Sequence, residues 1–319
     1  MNRIAVLHRI LLLLTALTVT AGACADNETA IARGDRLWAD SSFTEALAEY
    51  RLAVEQRDDE EALARLAHAY AAQGQLTEAR DAYAELLSRS SAWVDQAVYD
   101  FLHLMERAMA RGDEFGVATA LDAALSLRPE LQRPDAFRPV ARFHRETGAR
   151  DRALEYYRRA LTTLPADSTP EILYEIGRLN EDLERCETAI DWFRAFRIQA
   201  RSTNPRRWRS LLAEAEWHTG NCAFLLAREA QTQGRAREAL EYYRRTIELG
   251  EPENLLDRAW FEQGEILFHA GRFDQALEAY RTVLRRSPSR TGQLVERAER
   301  RIDEIRFGVR TDGIAPDTT

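Results

Sequence analysis

The sequence predicts an all-α protein, a solenoid of about seven helical hairpins closed by one further helix, and three observations carry that expectation. Small or slim residues recur at positions 46, 79, 117, 153, 189, 239 and 276, mostly 33 to 38 residues apart. Tyr50, Tyr83, Tyr157, Phe193, Tyr243 and Tyr280 recur with them on the second helices of the hairpins, where they read as core. The composition, 45% hydrophobic and 30% charged over 319 residues, supplies a large core without the bias of a disordered chain. A hairpin of two short amphipathic helices cannot bury its own apolar face, so such units stack.

The clearest unit runs from Asp257 to Pro288. Trp260, Gly264 and Leu267 fall on one helical face, and Ala276, Tyr280 and Val283 do so again after a break at Gly271. Pro288 is placed to stop the second helix, because proline cannot donate to the helical ladder. Gly264 and Ala276 stand where antiparallel helices touch most closely. This resembles the tetratricopeptide repeat, a 34-residue helix-turn-helix, with Trp260, Gly264, Leu267, Ala276, Tyr280 and Pro288 matching and Gln263 and Val283 departing from it.

The other units follow in chain order. The first, about 27–58, has Gly34, Leu37, Ala46, Tyr50 and Ala53 in register and turns at Ser41-Ser42 instead of glycine. The second, 60–91, carries Leu63, Ala67, Gly74, Ala79 and Tyr83. A degenerate third, 98–129, has Val117 at the small site. The fourth, 134–165, includes Pro139, expected in the first helical turn where a missing amide costs little. The fifth, 170–203, opens on Thr169-Pro170, read as an N-cap and first helical position. The sixth, 205–250, begins with a helix of about 29 residues, roughly 43 Å long. There Gly220 is taken as the small-residue site, 19 residues before Ala239 where 12 is usual, as though a heptad were inserted. After the seventh unit, 257–288, a capping helix is expected at 292–307 and a disordered tail at 308–319.

Before the first repeat, Arg3 and Arg9 precede an apolar run from Ile10 to Val19 and the small residues Ala21-Gly22-Ala23 before Cys24. This reads as a signal peptide, residues 1–23, too short in its apolar part to span a bilayer permanently. Ala21 to Cys24 resembles the bacterial lipobox, which implies lipidation at Cys24, and Ala25 after it implies transfer to the outer membrane. Plain cleavage after Ala23, leaving a soluble periplasmic or secreted chain, is the rival reading.

Composition and motif searches narrow the chemistry. All 44 basic residues are arginine, a pattern that codon bias of a GC-rich genome explains and that removes every lysine-dependent mechanism. The net charge of -8 argues against nucleic acid as a partner. His68, His103, His144, His218 and His269 stand on different helices without metal-ligand spacing, and no nucleophile-elbow, dinucleotide or calcium motif occurs. The expectation is a non-enzymatic chain with no cofactor, no metal and no small-molecule substrate.

By the resemblance, first helices line the inside of a right-handed superhelix. The positions carried over are Arg138, Arg142 and Arg145; Tyr174 and Arg178; Trp217, Asn221 and Phe224; and Phe261, Glu265 and Phe268. A groove changing from guanidinium to aromatic groups suits a peptide with acidic residues at one end and apolar anchors at the other. The alternative is that these arginines pair with neighbouring glutamates and the aromatics pack between helices. Cys186 and Cys222 fall on antiparallel neighbouring helices, so they form either a disulfide or two buried thiols. The function expected is a periplasmic interaction scaffold, anchored through lipid alone and serving envelope assembly or secretion. It resembles the lipoprotein of the outer-membrane β-barrel assembly machine; the alternatives are a regulatory subunit of a cell-wall enzyme and a soluble adaptor.

Overall fold

A computed structural model describes residues 29–57, 59–163, 165, 167–287 and 291–308. The expected leader, Cys24, the stop at Pro288 and the tail from 309 lie outside these residues. Among the described residues there are fifteen α-helices, one 3-10 turn and no strand.

The chain forms two compact units, divided after Leu131. The first holds α1 (Ala30–Ala39), α2 (Phe43–Arg57), α3 (Glu60–Gln73), α4 (Leu76–Arg89), α5 (Val94–Arg111) and α6 (Glu114–Leu127). The second holds α7 (Pro134–Glu146), α8 (Arg150–Thr163), α9 (Thr169–Asp182), α10 (Cys186–Thr203), α11 (Arg209–Thr232), α12 (Ala236–Leu249), α13 (Glu253–His269), α14 (Phe273–Arg286) and α15 (Gln293–Phe307). Within each unit consecutive helices pair as hairpins and adjacent hairpins stack.

The hairpins close around the small-residue sites. Ala46, Ala79, Ala153, Ala189, Ala239 and Ala276 are fully buried, and Val117 nearly so. Opposite them, a Cβ added at Gly34 would lie 2.6 Å from the ring of Tyr50, and one at Gly264 would lie 2.7 Å from that of Tyr280. Phe193 lies over Gly177 in the same way. The second-helix aromatics are core, each contributing about 2–3 kcal/mol of transfer free energy. Glycine closes most hairpin turns in the left-handed region, as Gly271 does at φ 72°, but Ser41 and Glu184 occupy it at φ 62° and 59°.

Three local expectations change. Pro139 lies inside α7, whose first residue is Pro134, so its missing amide falls in the helix interior. Thr169 does not cap α9; its hydroxyl donates to the Pro165 carbonyl at 3.2 Å, and Ser168 holds the cap position. The long helix is 24 residues, because Asn204 turns the chain first, its carbonyl and side-chain oxygens accepting from the Arg207 amide.

The sixth hairpin also has a different register. Ala227, fully buried in the cluster that holds Tyr243, stands to Ala239 as Gly264 stands to Ala276. Phe224 packs on Tyr243 at 5.7 Å between ring centroids, as Phe261 packs on Tyr280 at 5.6 Å. No heptad is inserted within the hairpin; α11 is lengthened at its N-terminal end. Gly220 serves another purpose, since a Cβ there would collide with the backbone carbonyl of Glu251.

Candidate functional site

The positions expected to line a groove all lie in the second unit, and their surroundings divide them into three groups. On α7, Arg138, Arg142 and Arg145 stand around one cleft of about 310 Å³ that they share with Tyr157 and the α9 residues Glu171 and Glu175. Arg138 pairs with Glu171 at 2.6 Å, and Arg145 with Glu175. Burial, with Glu175 beside it, pushes the Tyr157 hydroxyl up to about 12, so it stays a proton donor at neutral pH. The cleft is therefore a mixed-charge surface, with Arg142 exposed at its edge.

The second group gathers around Glu181 of α9. The Asn221 side-chain amide donates to Glu181 at 3.1 Å, His218 Nδ1 stands 2.6 Å from its other oxygen, and Arg178 lies 3.6 Å away. Tyr174 is 4% exposed, packs on Phe193 and Phe196, and donates its hydroxyl to Glu214 at 2.8 Å. Tyr174 is therefore a core residue rather than a ligand contact. Trp217 is 42% exposed, its ring edge-on to His218.

The third group is covered. Phe261 is fully buried, with the Arg297 guanidinium 4.4 Å above its ring. Glu265 accepts from the Tyr280 hydroxyl at 2.5 Å and from Arg301 at 2.9 and 3.1 Å. Arg301 also lies 4.7 Å over Phe268, which packs on Phe273. Here α15 occupies the face expected to hold a ligand. Phe224 is likewise core, at 4% exposure, because the true register of α11 turns it toward Tyr243. The neighbour that does face outward is Leu225, 45% exposed, in a stripe with Ala213, Trp217 and Asn221 at every fourth residue.

Arg138 and Arg145 follow the alternative in which the arginines pair with neighbouring glutamates; sequence reasoning did not name the acidic partners, and their spacing carries the signal. Asp35 and Arg65 are 30 residues apart, as are Arg145 and Glu175, and His68 and Asp100 are 32 apart, so each pair links neighbouring first helices about one repeat on. Between α9 and α11 the separation is 40, for both Tyr174–Glu214 and Glu181–Asn221, reflecting the longer α10 and α11.

In the first unit the same device is built from different residues. Asp35 accepts from Tyr50 at 2.8 Å and Arg65 at 2.9 Å. Asp100, 3% exposed, accepts from the Tyr83 hydroxyl and from Gln96 and lies 2.9 Å from His68 Nδ1. The hydrogen bond to Asp100 raises the His68 pKa above its usual value against the opposing effect of burial.

Cys186, the first residue of α10, and Cys222, midway along α11, are joined as a disulfide with Cα atoms 5.1 Å apart. Both lie in the core cluster that includes Phe193, Phe196 and Trp208. A loop of this length contributes about 3–4 kcal/mol in the chain-entropy view.

A comparison with curated protein sequences finds no match. Among solved structures, the chain is similar to the TPR domain of P58(IPK), at 16% identity over 89% of this chain and 99% of that one, TM-score 0.34. It is also similar to YrrB, described as a TPR protein with an unusual peptide-binding site, at 16% identity over 63% and 91%, TM-score 0.33. TTC0263, a thermophilic TPR protein in Thermus thermophilus, is 21% identical over 58% and 96%, TM-score 0.25. Family membership rests on the repeat itself: the tetratricopeptide repeat model matches residues 31–92, 144–205 and 224–291, more than half of the sequence, and the chain belongs to the tetratricopeptide repeat family.

Proposed function

We propose that the chain is a non-enzymatic scaffold that holds a peptide or partner protein on the first-helix face of its second unit. The observation that carries this reading is the succession of first helices from the arginine cleft between α7 and α9, through the Glu181–Asn221 contact, to the exposed stripe of Trp217 and Leu225 on α11. Arginines beside an open aromatic and a leucine recognise a segment with carboxylates followed by apolar anchors. Phe261, Glu265 and Phe268 have no part in it, being engaged with α14 and α15.

The location belongs to the same proposal: export to the periplasm, with lipid on Cys24 holding the chain to the outer membrane, and a role in envelope assembly or secretion. The joined Cys186 and Cys222 support export, because structural disulfides persist in oxidising compartments. Capture of crosslinked partners from envelope fractions tests the scaffold, with Arg142→Glu combined with Arg138→Glu, and Trp217→Ala combined with Leu225→Ala. Each pair should abolish capture while the melting temperature stays within a few degrees. Capture that survives both pairs refutes the face. For the anchor, Cys24→Ala should release the chain from membranes and remove an acyl mass increment; a wild-type chain without that increment refutes lipidation.

A further inference from the structure

The N-terminal end of α11 and the C-terminal end of α10 form a corner that the scaffold reading does not use. Gly220 meets the backbone at Glu251, just after α12, so the α11 residues before it run past the end of α12 and the start of α13. From Arg209 that is a projection of about 16 Å. The chain between Asp191 and Glu214 contains six arginines, Arg194, Arg197, Arg201, Arg206, Arg207 and Arg209, and no acidic residue. This concentration stands out in a chain of net charge -8.

Three of the six are held by acids: Arg194 by Asp191 at 3.1 Å, and Arg197 and Arg201 by Glu216 at 3.5 and 3.2 Å. Among the described residues, Arg206, Arg207 and Arg209 have no acidic partner, and all three are exposed. The turn that carries them is ordered from beneath by Trp208, 5% exposed, on which the Arg207 guanidinium stacks at 4.5 Å. Ile198, 65% exposed, lies between Arg194 and Arg201 on the outer face of α10.

We infer that this corner docks on an anionic phospholipid surface, its arginines at the phosphates and Ile198 at the level of the glycerol backbone. Arginine forks pair phosphate oxygens, and basic residues beside a bilayer each add to its electrostatic attraction. Shape favours a bilayer over an acidic peptide. The exposed Arg206, Arg207 and Arg209 sit at the end of α11 that runs past α12, within reach of a flat, deformable layer, while the arginine cleft lies on α7 and α9. Nucleic acid is disfavoured because Trp208 is buried and offers no face for a base. The inference is independent of lipid at Cys24 and revises the expectation that lipid is the only membrane contact.

The test compares full-length chains by flotation with vesicles of phosphatidylcholine alone and of two parts phosphatidylcholine to one part phosphatidylglycerol. The leader is common to every chain, so only differences between variants are read. The variant Arg206→Glu/Arg207→Glu/Arg209→Glu is set against Arg158→Glu/Arg281→Glu/Arg300→Glu, which makes the same charge change on other exposed sites. The corner variant should lose about a hundredfold in partition onto the anionic vesicles, while the control keeps wild-type partition. Ile198→Ser should lose about threefold. Equal loss in the two triple variants, or no preference of the wild type for anionic vesicles, overturns the inference. So does binding of polyglutamate or an oligonucleotide that the corner variant alone loses, without any vesicle preference.

Discussion

The hairpins α11–α12 and α13–α14 share one local geometry and differ in what approaches the rest of their first helix. In α13–α14 the Tyr280 ring lies on Gly264, its hydroxyl reaches Glu265, and Arg301 of α15 closes over the same carboxylate. The C-terminal half of α11 repeats the pattern with Ala227, Phe224 and Tyr243. Its N-terminal half and middle face backward to α9 and α10, through Glu214, Asn221 and Cys222. One long helix thus serves two hairpins, and a small residue there is explained by the group that needs the space: a ring at Gly264, a backbone at Gly220.

Breaking the bridge attacks the backward-facing part of α11 most strongly. Cys186→Ala with Cys222→Ala should cost about 3 kcal/mol in denaturant unfolding, and reductant should lower the midpoint of the wild type but not of the double variant. The two glycines separate the two kinds of close approach. Gly220→Ala must move backbone at Glu251 and should cost about 3 kcal/mol, whereas Gly264→Ala displaces a ring and should cost about 1–2 kcal/mol. Equal costs would remove the distinction. At the turns, Ser41→Gly and Glu184→Gly should each stabilise by about 0.5–1 kcal/mol, because both positions are left-handed.

A smaller effect contrasts the Asp100 and Glu265 clusters. The cation on Glu265 is Arg301, which does not titrate near neutrality, whereas that on Asp100 is His68 with its pKa raised. The stabilisation from His68 should be fully present below about pH 6.5 and fade as pH rises through its higher folded value. Asp100→Asn should flatten that dependence in unfolding measured across the same range. A slope that persists assigns it to another group.

The hairpins were legible because buried alanines and second-helix aromatics must recur at the repeat period, and a hydrophobic pattern survives in one dimension. Gly220 misled the register of α11 because a glycine in a helix resembles a helix-contact site whether a ring or a backbone approaches it. The groove positions were legible as helix positions, but exposure was not. Phe261 and Trp217 are both aromatic and on first helices, and what distinguishes them is the presence of α15 over one and the N-terminal extension of α11 beyond α12 that carries the other. The acidic partners Glu171 and Glu175 belong to the next repeat, so a reading confined to one unit passes over them.

The central claim, that partners bind the first-helix face from the α7–α9 cleft to Trp217, is tested most directly by a photo-crosslinking residue placed singly at positions 142, 217, 261 and 244. Crosslinks to a partner should form from 142 and 217, while 261, buried beneath Arg297, and 244, on the exposed face of α12, give none. Crosslinks confined to position 244 would place the binding surface on the second helices and contradict the account.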